Sequence, residues 1–253
     1  MAFYGQSVHV PSAFSLVEIV RVLYDKHLRY PNGDPNSVDR DFFVLSKGHG
    51  VMALYPILES LGWISGEDLD RYFQDGSLLP GLSEANTPGC EVNSGSLGHG
   101  LSVAVGFAWA AKLRETEQRV FCVIGDGELN EGSIWEALMF AGYHHLNNVT
   151  LIVDANGYQA MGETKGILTV NDLEAAFISF GFEVRSTDGH SEDAIDRCIS
   201  LHREMGSLRP LAVIAKTVKG KGVSFIENEN RWHYTRLDEP AFQKAISELE
   251  AGR

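Results

Sequence analysis

The sequence predicts a doubly wound α/β fold, a mostly parallel sheet flanked by helices, and three observations support this. First, five β-rich runs recur at Phe42–Leu45, Val120–Ile124, Val149–Val153, Phe182–Arg185 and Leu211–Ala215, and most are continuously apolar rather than alternating. Continuous apolar strands belong to a sheet covered on both faces. Second, the first four runs each lead into a turn signal, and three of them then into a helical pattern. Strand–helix alternation through short loops favours parallel pairing. Third, 253 residues with 44% hydrophobic content can fill the core of one large α/β domain, or of two small ones.

In chain order, residues 12–28 read as a helix with Ser12 as its N-cap. The run Phe42–Leu45 enters Ser46-Lys47-Gly48-His49-Gly50 and then the apolar segment Val51–Leu61. Residues 98–114 form a second predicted helix. Val120–Ile124 leads through Gly125-Asp126-Gly127 to a helix from about Glu131 to Leu146, and Val149–Val153 leads to Asp154-Ala155-Asn156-Gly157. Phe182–Arg185 leads through Asp188-Gly189-His190 to a helix from about Ser191, and Leu211–Ala215 is the last strand. Residues 240–249 have helical spacing and suit a surface or partner-packing helix.

The formal net charge of −13 argues against a nucleic-acid partner, which usually meets a basic face, and it also favours solubility. Cys90, Cys122 and Cys198 have no paired spacing, so neither a disulfide framework nor a zinc cluster is expected, which suits a reducing compartment. The start, Met1-Ala-Phe-Tyr-Gly-Gln, lacks a charged leader before an apolar core, and the most apolar stretch, residues 101–111, is too short to span a bilayer. A cytoplasmic protein without a membrane partner is expected.

The segment from Gly125 to Gly132 follows a buried strand and opens a helix. Its glycines let the backbone approach a ligand, and the helix start offers free N–H groups to a diphosphate. Asp126 supplies a hard oxygen for Mg²⁺. Twenty-nine residues lie between Asp126 and Asn156, which follows the next strand, so one strand–helix–strand unit brings them side by side. The amide oxygen of Asn156 and the main-chain carbonyl of Tyr158 would complete the protein's share of the metal shell. Taken alone, these Asp-Gly and Asn-Gly pairs are equally well read as turn residues.

Gly-Asp-Gly followed about thirty residues later by Asn resembles the thiamine-diphosphate signature, and the rest of the chain resembles the N-terminal, diphosphate-binding domain of transketolase. Ser46–Gly50 resembles the family's cofactor-contacting histidine loop. Thr87-Pro88-Gly89 and Gly95-Ser96-Leu97-Gly98-His99-Gly100 resemble the segment whose backbone meets the aminopyrimidine. Lys216–Gly222 resembles the lysine-bearing loop, and Trp232-His233 the late active-site histidine. The matches run in family order over residues 9–236.

The resemblance implies a thiamine-diphosphate-binding fold, with residues 1–253 a single diphosphate-binding domain. It implies thiamine diphosphate with Mg²⁺ (or Ca²⁺), the metal held by Asp126, Asn156 and Tyr158. His49, Gly95, Ser96, Leu97, Gly127, Glu128, Asn156 and Lys219 would contact the cofactor. His9, His49 and His233 would be catalytic, since imidazole both donates and accepts protons near neutrality. Glu131 and Glu136 would link two active sites across a dimer, or equally serve as carboxylates at a helix start. His190 is read as structural, and His27, His144, His145 and His202 as ordinary surface or core residues.

Three departures from the family pattern stand out. Ser-Gly-His-Pro near the start is Ser7-Val8-His9-Val10, a substrate-contacting histidine after Pro-Gly is Leu82, and a glutamine is His99. Cofactor residues are largely kept while substrate residues change, which tells against the ordinary sugar phosphates of pentose metabolism. The family reaction transfers a two-carbon ketol unit from a ketose to an aldehyde, and its activating glutamate lies on a pyrimidine-binding domain that this chain does not include. A chain opening on Met1 and closing on a polar helix suggests a natural subunit rather than a fragment. The expectation is therefore a heterotetramer, two copies of this chain with two of a partner carrying that domain. A non-catalytic scaffold, and a biosynthetic variant loading the two-carbon unit onto a carrier-bound acceptor, are the alternatives. No nucleophile elbow suggests a hydrolase.

Overall fold

The computed structural model describes residues 1–6 and 8–252. The chain opens with α1 (Val10–Phe14) and α2 (Val17–Val22), the latter running on into a π-helical turn at Leu23–His27. After β1 (Phe42–Leu45) come a 3₁₀ turn at Gly48–Ala53, α3 (Tyr55–Ser60), α4 (Gly66–Asp70) and the long α5 (His99–Leu113). Strand β2 (Val120–Gly125) leads through a 3₁₀ turn at Asp126–Asn130 to α6 (Gly132–Tyr143) and β3 (Val149–Ala155). A hairpin of β4 (Tyr158–Gln159) and β5 (Gly162–Glu163) precedes α7 (Thr164–Ile167), α8 (Leu173–Ser179), β6 (Glu183–Asp188), α9 (Glu192–Glu204) and β7 (Leu211–Lys216). A 3₁₀ turn at Asn230–Tyr234 and α10 (Glu239–Ala251) finish the chain.

Strands β1, β2, β3, β7 and β6 form, in that order, one sheet whose four pairings are all parallel. Alternate residues of β1, β2, β3 and β7 feed two cores. Phe43, Phe121, Val123, Ile152 and Val213 pack with α1, α2, α3 and α9, whereas Val44, Cys122, Ile124, Leu151 and Ile214 pack with α5, α6 and α8. Every residue of β2 is therefore buried, which explains why the strands read as unbroken apolar runs. The chain steps outward from β1 to β3, skips to the edge strand β6 and returns to β7. That reversal puts α9 on the opposite face from α6 and α8, as right-handed crossovers require. Among the described residues no helix is long and apolar enough to cross a membrane.

The predicted strands all appear, some one to three residues longer at their ends. The helix expected over 12–28 is instead broken, and Ser12 lies inside α1 rather than capping it. The break falls at Ser15, whose hydroxyl donates to the Asp154 carboxylate at 2.6 Å and so holds α1 at an angle set by the sheet. His9 takes the cap position in a left-handed conformation, φ 66°. Cys90, Cys122 and Cys198 are free, and Cys122 is buried within β2.

Helix α6 approaches the turn before β6 so closely that a Cβ at Gly142 would lie 1.6 Å from the Phe180 carbonyl oxygen. In an open helix, Gly→Ala gains about 1 kcal/mol. Here the collision outweighs that gain, and Gly142→Ala is expected to lower unfolding stability by about 1–3 kcal/mol in urea denaturation. A stabilised variant would mean that this contact is looser than described.

Candidate active site

The five parallel strands end along one edge, and the loops leaving β1, β2, β3 and β7 border a cavity of ≈850 Å³, the position where ligands bind in open α/β sheets. Of the residues singled out in the sequence, His9, His49, Leu97, Asp126, Gly127, Glu128, Asn156, Tyr158, Lys219 and His233 line it. Gly95 and Ser96 belong to the Leu97 loop but do not line the cavity. Ser7 lies outside the described residues.

The three histidines come together from distant parts of the chain. The His9 ring centroid is 4.5 Å from that of His49 and 5.4 Å from that of His233. Burial is the main cause holding all three below the usual imidazole range; neighbouring His49 and Lys219 add to it at His9, bringing its pKa to about 4. His233 is pushed to about 3 by burial and then by Lys219. All three are thus neutral near pH 7. The Lys219 ammonium lies 2.8 Å from His233 Nδ1, and an ammonium can only donate, so the His233 proton sits on Nε2. Lys219 also donates to the Gln159 carbonyl at 3.3 Å, and burial, then Lys47, lowers its pKa to about 8.

Register explains the meeting of Asp126 and Asn156. Gly125 pairs with Asp154, so the turns leaving β2 and β3 run side by side. One oxygen of Asp126 accepts from the Gly157 N–H at 2.7 Å, while its Oδ1 is buried with no hydrogen-bond partner. Burial, then the nearby Asp154 charge, raises the Asp126 pKa to about 6. A buried, unsatisfied carboxylate oxygen calls for a proton or a cation. Asn156 Oδ1 accepts from the Tyr158 N–H at 3.0 Å and its amide N–H donates to Asp154 at 3.1 Å, which fixes the amide. Among the described residues no group of three or more His, Cys, Asp or Glu could hold a metal. One carboxylate beside neutral oxygens suits a hard cation that keeps some of its waters.

Glu128 lines the cavity, and its carboxylate is turned to the loops around it. Its side chain is 1% exposed, and it accepts from the Ser46 hydroxyl (2.7 Å) and the main-chain N–H groups of Gly98 (2.9 Å) and Gly125 (3.0 Å). Three donors hold the charge that burial disfavours, so the carboxylate ties the histidine loop, the glycine-rich loop and the β2 turn together. Gly98 (φ 86°) starts α5 where a Cβ would strike Glu131 Cβ at 2.6 Å, so only glycine fits there. Leu82 packs where a Cβ on Gly95 would be, at 2.6 Å, and does not line the cavity. His99 is exposed at the first turn of α5. Glu131 lines the cavity, and Glu136 is exposed on α6.

Two residues given no role from sequence prove central. Asp154 is 0% exposed and forms an ion pair with Lys47; it also accepts from Ser15, Asn156 and Thr217. Both lie inside segments already singled out, but nothing local marks a charged pair 107 positions apart. The β4–β5 hairpin was also missed, and it carries Gln159, Ala160 and Met161 over the cavity. Gly157 and Gly162, both at positive φ, are its sequence signal.

Residues 4–250 match the family described as "Transketolase, thiamine diphosphate binding domain", and the chain belongs to this family. It is 36% identical over 250 residues, 98% of its length and 88% of the relative's, to one of the subunits of the apulose-4-phosphate transketolase of Phocaeicola vulgatus. It is 37% identical over 243 residues, 96% of its length and 88% of the relative's, to a 6-deoxy-6-sulfo-D-fructose transketolase subunit of a Clostridium species. The solved transketolase of Leishmania mexicana superposes with a TM-score of 0.89 at 28% identity. That comparison covers 98% of this chain and 38% of the other, so the chain spans about two fifths of the solved transketolase's length.

Removing one partner of a buried ion pair leaves the other uncompensated. Asp154→Ala is therefore expected to cost about 3–5 kcal/mol of unfolding stability by chemical denaturation. Combining Asp154→Asn with Lys47→Met should recover a good part of it, because no lone buried charge remains. Equal losses in both variants would mean that the pair does not govern this corner of the fold.

Proposed function

We propose that this chain is the diphosphate-binding subunit of a thiamine-diphosphate-dependent transketolase. With a partner chain it would transfer a two-carbon ketol unit from a ketose donor to an aldehyde or other acceptor. The observation that carries the proposal is the cavity itself, lined by three histidines, a buried lysine and Asp126, whose Oδ1 is buried without a hydrogen-bond partner. In this proposal Asp126, the Asn156 amide oxygen and the Tyr158 carbonyl hold Mg²⁺, or Ca²⁺, as the anchor of the diphosphate. Lys219, His49 and the main chain at Gly127 and Glu128 face the diphosphate, and Gly95, Ser96 and Leu97 meet the aminopyrimidine. The bound cofactor supplies the electron sink for cleaving the bond beside the ketose carbonyl.

The chain's own contribution is to position groups and move protons. His233, its Nδ1 occupied by Lys219, presents Nε2–H to the cavity as a donor. His9 and His49, also neutral, can donate to the ketose oxygen as charge grows there and take a proton from it.

A partner is supported by the outer face of α5 and α6, where Val103, Leu113, Met139, Phe140 and Tyr143 are exposed, Tyr143 by 79%. Large apolar side chains exposed on two packed helices suit an interaction site. The partner would bring the pyrimidine-binding domain and its activating glutamate, with two copies of each chain. The three free cysteines accord with a cytoplasmic setting.

Titrating thiamine diphosphate and Mg²⁺ into the chain, alone and with its partner, tests this directly. Tight binding should need the partner, and Asp126→Ala should weaken it by at least the about 10–100-fold that supporting residues of a metal site are worth. No binding in any pairing would leave a scaffold. A pH series supplies a second test. The fold lowers the Lys219 pKa from 10.5 to about 8, so the stability linked to this group is present above 10.5 and lost as pH falls through about 8. The ammonium is the disfavoured form, and a bound diphosphate offsets that cost. Affinity for the diphosphate should therefore fall as pH rises above about 8, a slope that Lys219→Met abolishes.

A further inference from the structure

His190 follows the edge strand β6 and does not line the cavity, yet its ring is held at both nitrogens. The Asp188 carboxylate accepts the His190 main-chain N–H at 2.9 Å, and the Gly189 N–H donates to the Lys216 carbonyl at 2.8 Å. A Cβ at Gly189 would lie 2.4 Å from Thr217 Cγ2, so glycine lets the β6 turn lie against the loop that leaves β7. From there His190 Nε2 reaches the Val218 N–H at 2.8 Å, and Nδ1 reaches Glu18 Oε2, on α2, at 3.1 Å.

A backbone N–H can only donate and a carboxylate can only accept. In this arrangement Nε2 therefore carries the lone pair and Nδ1 the proton, and Glu18 selects that tautomer. Val218 immediately precedes Lys219, whose ammonium reaches His233 Nδ1. On the other side of Lys219, the Gly220 N–H donates to the Pro11 carbonyl at 3.0 Å. The lysine thus stands between two tethers, one of them the imidazole.

We propose that Glu18 and His190 are positioning residues for Lys219: the carboxylate sets the tautomer, and the imidazole clamps the Val218 N–H. Together they aim the ammonium at His233 and the cavity. The consequence for cofactor binding rests on the function proposed above; the consequence for Lys219 does not.

Two readouts test the clamp in the full chain with its partner. One is affinity for thiamine diphosphate and Mg²⁺ by calorimetry. The other is the rate at which a small amine-acylating reagent labels Lys219, read by peptide mass spectrometry with exposed Lys244 as internal reference. His190→Ala leaves a backbone N–H without its acceptor, so affinity should fall about tenfold and Lys219 labelling rise by a similar factor, with Lys244 unchanged. His190→Gln, whose amide oxygen can take over the Val218 N–H, should stay within about threefold of wild type on both. Melting temperatures show whether the alanine variant is folded; if it is not, the glutamine variant decides. Unchanged Lys219 labelling in a folded His190→Ala, or a glutamine variant as impaired as alanine, overturns the proposal. A wild type that fails to bind thiamine diphosphate would sink the proposed function, while labelling still judges the clamp.

Discussion

Asp154 holds a carboxylate where no water reaches, and several kcal/mol of desolvation make such a group untenable without partners. Its partners arrive from four directions: Lys47 from the loop after β1, Ser15 from between α1 and α2, Asn156 from its own strand end, and Thr217 from the loop after β7. Each brings a neighbour to the cavity. His9 and Ser12 come with Ser15, His49 with Lys47, Tyr158 with Asn156, and Lys219 with Thr217. Satisfying one buried charge thus fixes the relative placement of the segments from which the site is built.

The same crowding tunes the cavity's electrostatics. Burial disfavours charge on His9, His49, His233, Lys219 and Asp126, and the lysines disfavour it further on the histidines. Imidazoles that stay neutral keep both a donor and an acceptor, which a proton-moving site needs and an imidazolium lacks. Asp126 feels the opposite stress, its charge raised in energy by burial and by Asp154. Lys219, strained as a cation, and Asp126, strained as an anion, are each poised for a ligand of opposite sign. A metal diphosphate carries both signs.

Much of this was legible in the sequence where a pattern is local. The strands showed because residues such as Phe121 and Cys122 are buried on opposite faces, leaving no polar alternation. The glycine turns showed because Gly-Asp-Gly and Asn-Gly stand at strand ends. What escaped depends on tertiary bonds. Nothing near Ser15 announces that its hydroxyl will meet a carboxylate 139 positions away and break the helix expected over 12–28. Glu128, which stands in the motif and lines the cavity, has its side chain held by three donors from two other loops and its own turn, which the motif alone does not show. The partner of His190, a main-chain N–H, likewise leaves no trace in residue identity.

The rings of His9 and His233 touch across 5.4 Å although more than two hundred residues of chain separate them. A contact of that span closes a very long loop and can form only after His233 has been synthesised. Chains that stop short of His233 therefore lack this closure of the cavity. A ligand that needs both rings recognises only the folded chain, drawing native molecules out of the folding equilibrium by mass action.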